Sequence, residues 1–229
     1  MDTIIINSNT KDILFSILGP TKDFLNSEEK YNYEFAGYDR LDGKSGVGYI
    51  DNSIEPGAFK ETFAFKFPSN NLYKKVSDEF IRIGKNYITS NYGEKFWKMH
   101  EENPLIRFHR YHIIEKKQNT NNDLRFFPHR DYGTFTFSYS YDDTRGMQWC
   151  YPHPNVYDIN HDEWNDINYN TNNLNVMFGS IMKDFGFEPH YHRMINTDSH
   201  KERYSITCHF DLSQVFLGNT TIKQRLGIK

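Results

Sequence analysis

The chain has 229 residues and a net charge of −3 at pH 7 with no basic run, so it lacks the electrostatic footprint of a phosphate-backbone binder and no nucleic-acid partner is expected. Hydrophobic content is only 37%, but 19 Phe and 16 Tyr supply large buried areas, which excludes a disordered chain and favours one domain with elaborations. The two cysteines, Cys150 and Cys208, exclude a disulfide framework, and the absence of a signal-like segment or an apolar run of about 18 residues predicts a soluble, cytoplasmic protein with no membrane partner.

Along the chain, the first third reads as mainly helical. Thr10 and Thr21 are suited to cap two helices, "TKDILFSIL" and "TKDFLNSEEKYNYE". The stretch "GYDRLDGKSGVGYIDN" is too rich in Gly and Asp to continue them. Leu72, Val76, Phe80, Ile83 and Tyr87 then recur at spacings of three and four, predicting a long amphipathic helix that stops at Gly93, and "EKFWKMHEE" adds a turn or two.

After Asn103 the pattern changes to short alternating runs. "LIRFHRYHII", "GTFTFSYSY", "GMQWCY", "NLNVMFGSIM", "HYHRMI" and "RYSITCHFDL" read as strands, with "DLRFFP" as a loop entering the second and "KKQNTNND", "DDTRG" and "YNTNN" as turns. Helices followed by about six to eight strands predict an α+β fold whose strand-rich part is a sandwich or jelly roll.

Metal chemistry is suggested by "PHRDYG". His129 and Asp131 fall two apart and share one face of an extended chain. With 10 His and 17 Asp, roughly 0.7 such pairs are expected by accident, and "HFD" at His209 and Asp211 is a second one. Company decides between them. "EPHYHRM" offers His190 or His192 as a third ligand on a later strand, and two imidazoles with one carboxylate leave positions open on a non-haem Fe(II). "RYS" follows, with Arg203 and Ser205 on one face, a fork and a hydroxyl able to clamp a carboxylate. No companion motif accompanies His209 and Asp211, which read as the close of the last strand. His109, His112, His153 and His200, taken singly, read as surface or satisfied core residues.

In order, "GYDRLDGKSGVGYID…KETF", "IRFHRYH", "PHRDYGTFTF", "GMQW" with Trp164, "NVMFGSIM", "HRM" and "RYS" resemble the 2-oxoglutarate and Fe(II) dependent dioxygenases of the isopenicillin N synthase-like branch, from about Leu25 to Leu212. The resemblance implies a double-stranded β-helix, or jelly roll, with N-terminal helices packed against it. It implies that His129, Asp131 and His192 hold Fe(II), His192 being chosen over His190 because it precedes Arg193. Arg203 and Ser205 would bind the far carboxylate of the cosubstrate 2-oxoglutarate, assisted by Tyr111. The implied reaction consumes O2, releases succinate and CO2, and oxidises an unactivated C–H bond of a small-molecule substrate by hydroxylation, desaturation or ring closure. An Fe(II) oxidase of this branch that does not use 2-oxoglutarate, or a jelly-roll binding module without chemistry, are the alternatives. The implied organisation is a helical and glycine-rich region over 1–102, short for the branch, a core over 103–217 and a tail over 218–229. Phe127, Met147, Trp149 and Phe185 neighbour the motifs and are candidate pocket residues; no motif speaks to oligomeric state.

Overall fold

Strand alternation organises the molecule. The computed structural model describes residues 1–33, 47–51, 59–66, 70–113, 124–142, 145–156, 163–167, 170–196 and 201–213. In chain order they form β1 (Asp2–Ile5), α1 (Ser8–Ser16), α2 (Leu18–Asn26), a 3₁₀ segment (Glu28–Tyr33), β2 (Val47–Asp51), β3 (Lys60–Phe65), α3 (Asn71–Tyr92), α4 (Glu94–Trp97) and β4 (Leu105–Tyr111). There follow β5 (Leu124–His129), β6 (Phe135–Ser140), β7 (Met147–Cys150), β8 (Asn165–Asp166), β9 (Asn173–Phe178), a second 3₁₀ segment (Ser180–Phe185), β10 (Tyr191–Ile195) and β11 (Arg203–Phe210). A seven-stranded sheet in the order β1-β9-β6-β11-β4-β3-β2 faces a four-stranded sheet in the order β5-β10-β7-β8, the double-stranded β-helix expected from the motifs.

In β3, β6 and β11 of the large sheet both faces are buried, and they differ in chemistry. Phe63 and Phe65 of β3, Ile106 and Phe108 of β4, Phe135 and Phe137 of β6, and Ile206 and Phe210 of β11 point to the helices and join one core cluster with Leu14, Leu25, Val76 and Phe80. The residues between them point the other way and are mostly polar. Ala64, Arg107, Thr207 and Ser138, for example, are register partners across four strands and line a cavity between the sheets. Each fully buried Phe on the helix side contributes roughly 1.5–3 kcal/mol, so stability is concentrated on that side of the sheet.

The long helix α3 forms as its periodicity predicts, with Asn70 capping Leu72 N at 2.8 Å and Gly93 ending it at φ +90°. At Gly84 a Cβ would stand 2.3 Å from the Phe210 ring, so only glycine lets α3 approach β11 this closely.

Several elements differ from expectation. Asn7, not Thr10, caps α1, accepting from Thr10 N at 2.9 Å, while the Thr10 hydroxyl is turned to buried Glu79 of α3. The second helix begins at Leu18 rather than at Thr21 and ends at Asn26, where the chain tightens into the 3₁₀ segment. The N-terminal region also supplies three strands: β1 pairs with β9, and β2 and β3 extend the sheet from β4. "DLRFFP" is a strand rather than a loop, and "GSIM" breaks from β9 into a 3₁₀ turn. The Gly-rich residues 34–46, the turns within 114–123, 143–144 and 168–169, His200 and the 218–229 tail lie outside the described residues.

Candidate active site

The small sheet presents the metal-binding side chains. Antiparallel pairing sets His129, at the end of β5, opposite His192 on β10, with ring centroids 4.1 Å apart. Asp131 lies just beyond β5, its Oδ2 3.9 Å from His192 Nε2, and one ligand atom from each of the three residues lies within 4.8 Å of the others. These three form a group able to hold one metal ion.

Protonation suits that role. His129 Nδ1 donates to the Phe127 carbonyl at 3.0 Å, which fixes the ring and leaves Nε2 as the lone-pair nitrogen. Burial holds His129 well below the usual imidazole range and lowers His192 too, so both rings are neutral near pH 7. Burial alone would raise the Asp131 carboxyl, but His192, His209, His129 and the Thr136 hydroxyl outweigh it and hold it far below its ordinary range. Two neutral imidazoles and an ionised carboxylate are the donor set a divalent iron needs.

Glycines set the position of the Asp131 loop. Gly179 N donates to Thr134 O at 2.8 Å, and Ser180 donates to Asp131 O from N at 2.8 Å and from Oγ at 2.9 Å. A Cβ at Gly179 would stand 2.1 Å from Gly133 O, and one at Gly133 would stand 2.7 Å from Phe210 O. Gly179 is thus needed where its backbone meets Gly133, and Gly133 where its backbone meets Phe210 and Asp211.

A buried polar chain runs from Asp131 across the large sheet. Thr136 Oγ1 donates to Asp131 Oδ2 at 2.6 Å and lies 3.1 Å from His209 Nδ1. His209 Nε2 is 2.9 Å from Thr207 Oγ1, which is 3.1 Å from His109 Nε2, and His109 Nδ1 is 3.0 Å from Thr62 Oγ1. The expectation that His209 merely closes a strand is thus corrected: it lines the cavity and supports Asp131 through Thr136. Asp211, from the same "HFD", also lines the cavity, and burial raises its carboxyl to about 6. His190 is no ligand; its Nδ1 accepts from Phe178 N at 2.8 Å, and its ring stacks on Phe178.

Arg203, Ser205 and Tyr111 meet at the neighbouring end of the large sheet, where Arg203 and Tyr111 are register partners. Ser205 and Tyr111 line the cavity of about 470 Å³. Arg203 is buried beside it, its Nη1 donating to Arg145 O at 3.1 Å and its Nη2 to Ser140 Oγ at 3.4 Å. Phe127 and Met147 line the cavity as expected. Trp149 packs against the cluster of Phe126, Met147 and Met194 and against His190, and Phe185 packs against Phe96. Lys60 and Arg107, which sequence reasoning missed, line it too. Their signal was the alternation itself, since Phe63 and Phe65 on the core side put Lys60 on the other.

Residues 102–211 match the family model "2OG-Fe(II) oxygenase superfamily". Comparison with curated protein sequences found no match. Among solved structures, a full-length Neurospora crassa protein in complex with alpha-KG and 5-formyluracil is similar with a TM-score of 0.72 at 14% identity, over 93% of this chain and 74% of that one. A putative oxygenase from Shewanella oneidensis is similar with a TM-score of 0.71 at 15% identity, over 99% and 91%. The dioxygenase for auxin oxidation 1 from Arabidopsis thaliana, as a 2-oxoglutarate complex, is similar with a TM-score of 0.64 at 16% identity, over 92% and 83%.

Proposed function

We propose, from the premise that the 102–211 domain belongs to the 2OG-Fe(II) oxygenase superfamily and that the protein is therefore an oxidoreductase using Fe(II) and 2-oxoglutarate, that it oxidises a C–H bond of a small molecule held in the cavity between the sheets. His129, Asp131 and His192 hold the iron. Arg203 and Ser205, with Tyr111, bind the far carboxylate of 2-oxoglutarate. When bound, Fe(II) with 2-oxoglutarate and O2 supplies the oxidant, releasing succinate and CO2.

The chain's own residues orient these groups. The Phe127 carbonyl fixes the tautomer of His129, and the Thr136 hydroxyl donates to Oδ2 of Asp131 and so orients the carboxylate that would hold the metal. The Arg203 fork, steadied by the Arg145 carbonyl, presents a charge to the cosubstrate, and Tyr111 and Ser205 supply hydroxyls on the cavity wall. Apolar Phe126, Met147 and Met194 limit water around the reacting atoms.

The single observation that carries this reading is the convergence of one His–Asp–His set within 4.8 Å beside a cavity of small-molecule size. It is tested by succinate formation that requires Fe(II), together with the charge-transfer absorption of the anaerobic Fe(II)–2-oxoglutarate complex. His129→Ala is expected to lose both; full succinate formation in that variant overturns the assignment.

A further inference from the structure

The cavity holds a charge that the proposed chemistry does not use. Lys60 is only 6% exposed, with its Nζ 3.4 Å from the centroid of the Phe126 ring, Asp131 near enough to act on it, and no hydrogen bond or ion pair among the described residues. A buried ammonium without an anion is strongly disfavoured, and burial accordingly pulls Lys60 down to about 7. A second cation, Arg107 of β4, lies close enough to be the main charge acting on it. The two act together on His109, which lies on the same inner face and is kept neutral by burial and by both of them.

Charge balance shows what is missing. In the loaded site the charges of Fe(II) and 2-oxoglutarate offset one another, and Arg203 offsets Asp131. Lys66, further along the wall, is already paired with Glu101, and Arg193 is engaged by Gln148 Oε1 at 2.8 Å and the Trp164 ring. Asp211 lines the same cavity and acts on Arg107, and Arg130 lies over the Tyr191 ring, so Lys60 remains as the cation with no hydrogen bond or ion pair among the described residues. The small-sheet wall of the same cavity is apolar and aromatic, with Phe126, Phe127, Met147 and Met194.

We propose that the substrate is an amphipathic organic acid, its carboxylate received at Lys60 on the side of Arg107 and its apolar body lying against Phe126 and Phe127 toward the metal site. The anion would replace solvent at Lys60 and convert an expensive buried charge into a pair. This rests on the oxygenase reading for its chemistry but not for its binding step. Binding can therefore be measured without turnover.

Isothermal titration of benzoate, phenylacetate and hexanoate, each against its primary amide, into the purified protein with and without Fe(II) and saturating 2-oxoglutarate tests it. At least one acid is expected to bind roughly tenfold or more tighter than its amide, and Lys60→Met, which keeps the aliphatic stem, should erase that preference while leaving the Fe(II)–2-oxoglutarate absorption band in place. Arg107→Met serves as a second variant should Lys60→Met not fold, as judged by circular dichroism. Equal affinity for acid and amide, no binding of any acid, or an acid preference that survives both substitutions overturns the proposal. So does a Lys60→Met protein that loses the band but keeps the preference, which would make Lys60 a cosubstrate ligand. Absence of the band in the wild type, with acid preference intact, would instead count against the oxygenase reading alone.

Discussion

Lys60 and Glu61 are neighbours on one strand, and the two faces of that strand treat them in opposite ways. Glu61 points to the helix side and is surrounded: the Tyr49 hydroxyl donates to its Oε1 at 2.5 Å, Lys30 Nζ stands at 2.5 Å, and Arg110 and His112 approach Oε2 at 3.4 and 3.3 Å. Burial would raise its carboxyl, but the hydrogen bonds from His112, Lys30 and Tyr49 prevail and bring it to about 2. Lys60 points to the cavity side and has one aromatic ring. Around Glu61, Tyr49 and Lys30 pair with the carboxylate and hold the fold together. On the cavity face Thr136, His209, Thr207, His109 and Thr62 pair with one another, while Lys60 is left without a hydrogen bond or ion pair among the described residues.

Substitutions on the two sides should therefore separate function from stability. The largest effect is expected from His192→Ala, which should lower 2-oxoglutarate turnover by roughly 10³-fold or more in steady-state assays while leaving the melting temperature of the metal-free protein nearly unchanged. Glu61→Gln should do the reverse. Breaking a buried ionic cluster costs about 3 kcal/mol, so denaturant titration should show a loss near that size with turnover retained at low temperature. A melting temperature unaltered in Glu61→Gln would remove the contrast between the faces.

The acid limb sharpens the same contrast. The carboxyl of Glu61 is depressed from an ordinary 4.5 to about 2, so its contribution is fully present above pH 4.5 and is lost as pH falls through about 2. The stability gap between wild type and Glu61→Gln should thus be constant near neutrality and close on acidification, as followed by chemical denaturation at stepped pH. The smallest effect is expected at Thr136→Val. It removes the hydroxyl shared by Asp131 and His209 and should weaken metal binding by about tenfold in a competitive chelator titration, with little change in global stability.

Much of this architecture could be read before folding. The period of α3 and the alternation of β4, β6, β7, β9, β10 and β11 were legible because each is a local pattern. The motifs also single out His129, Asp131 and His192, three residues that the fold does bring together. What escaped depends on pairing across long stretches of chain. β2 reads as part of an irregular, glycine-rich stretch until β3 is laid beside it, and β5 looks like a loop until β10 is opposite. His209 acquires its role only because the register sets it against Thr136, 73 residues away. Alternation also misled in one respect, since polar positions on a strand ordinarily face solvent and here they face a cavity between the sheets.

The close contact of Gly133 with Gly179 bears on how this protein tolerates change. A saturation library scored for activity would be expected to tolerate exchange at many exposed charged positions, yet to fail at two residues with no side chain at all. Either alanine would intrude on backbone within 3 Å and dislodge the carboxylate loop without touching a metal donor. The most brittle letters of this sequence include two that carry no chemistry, only room.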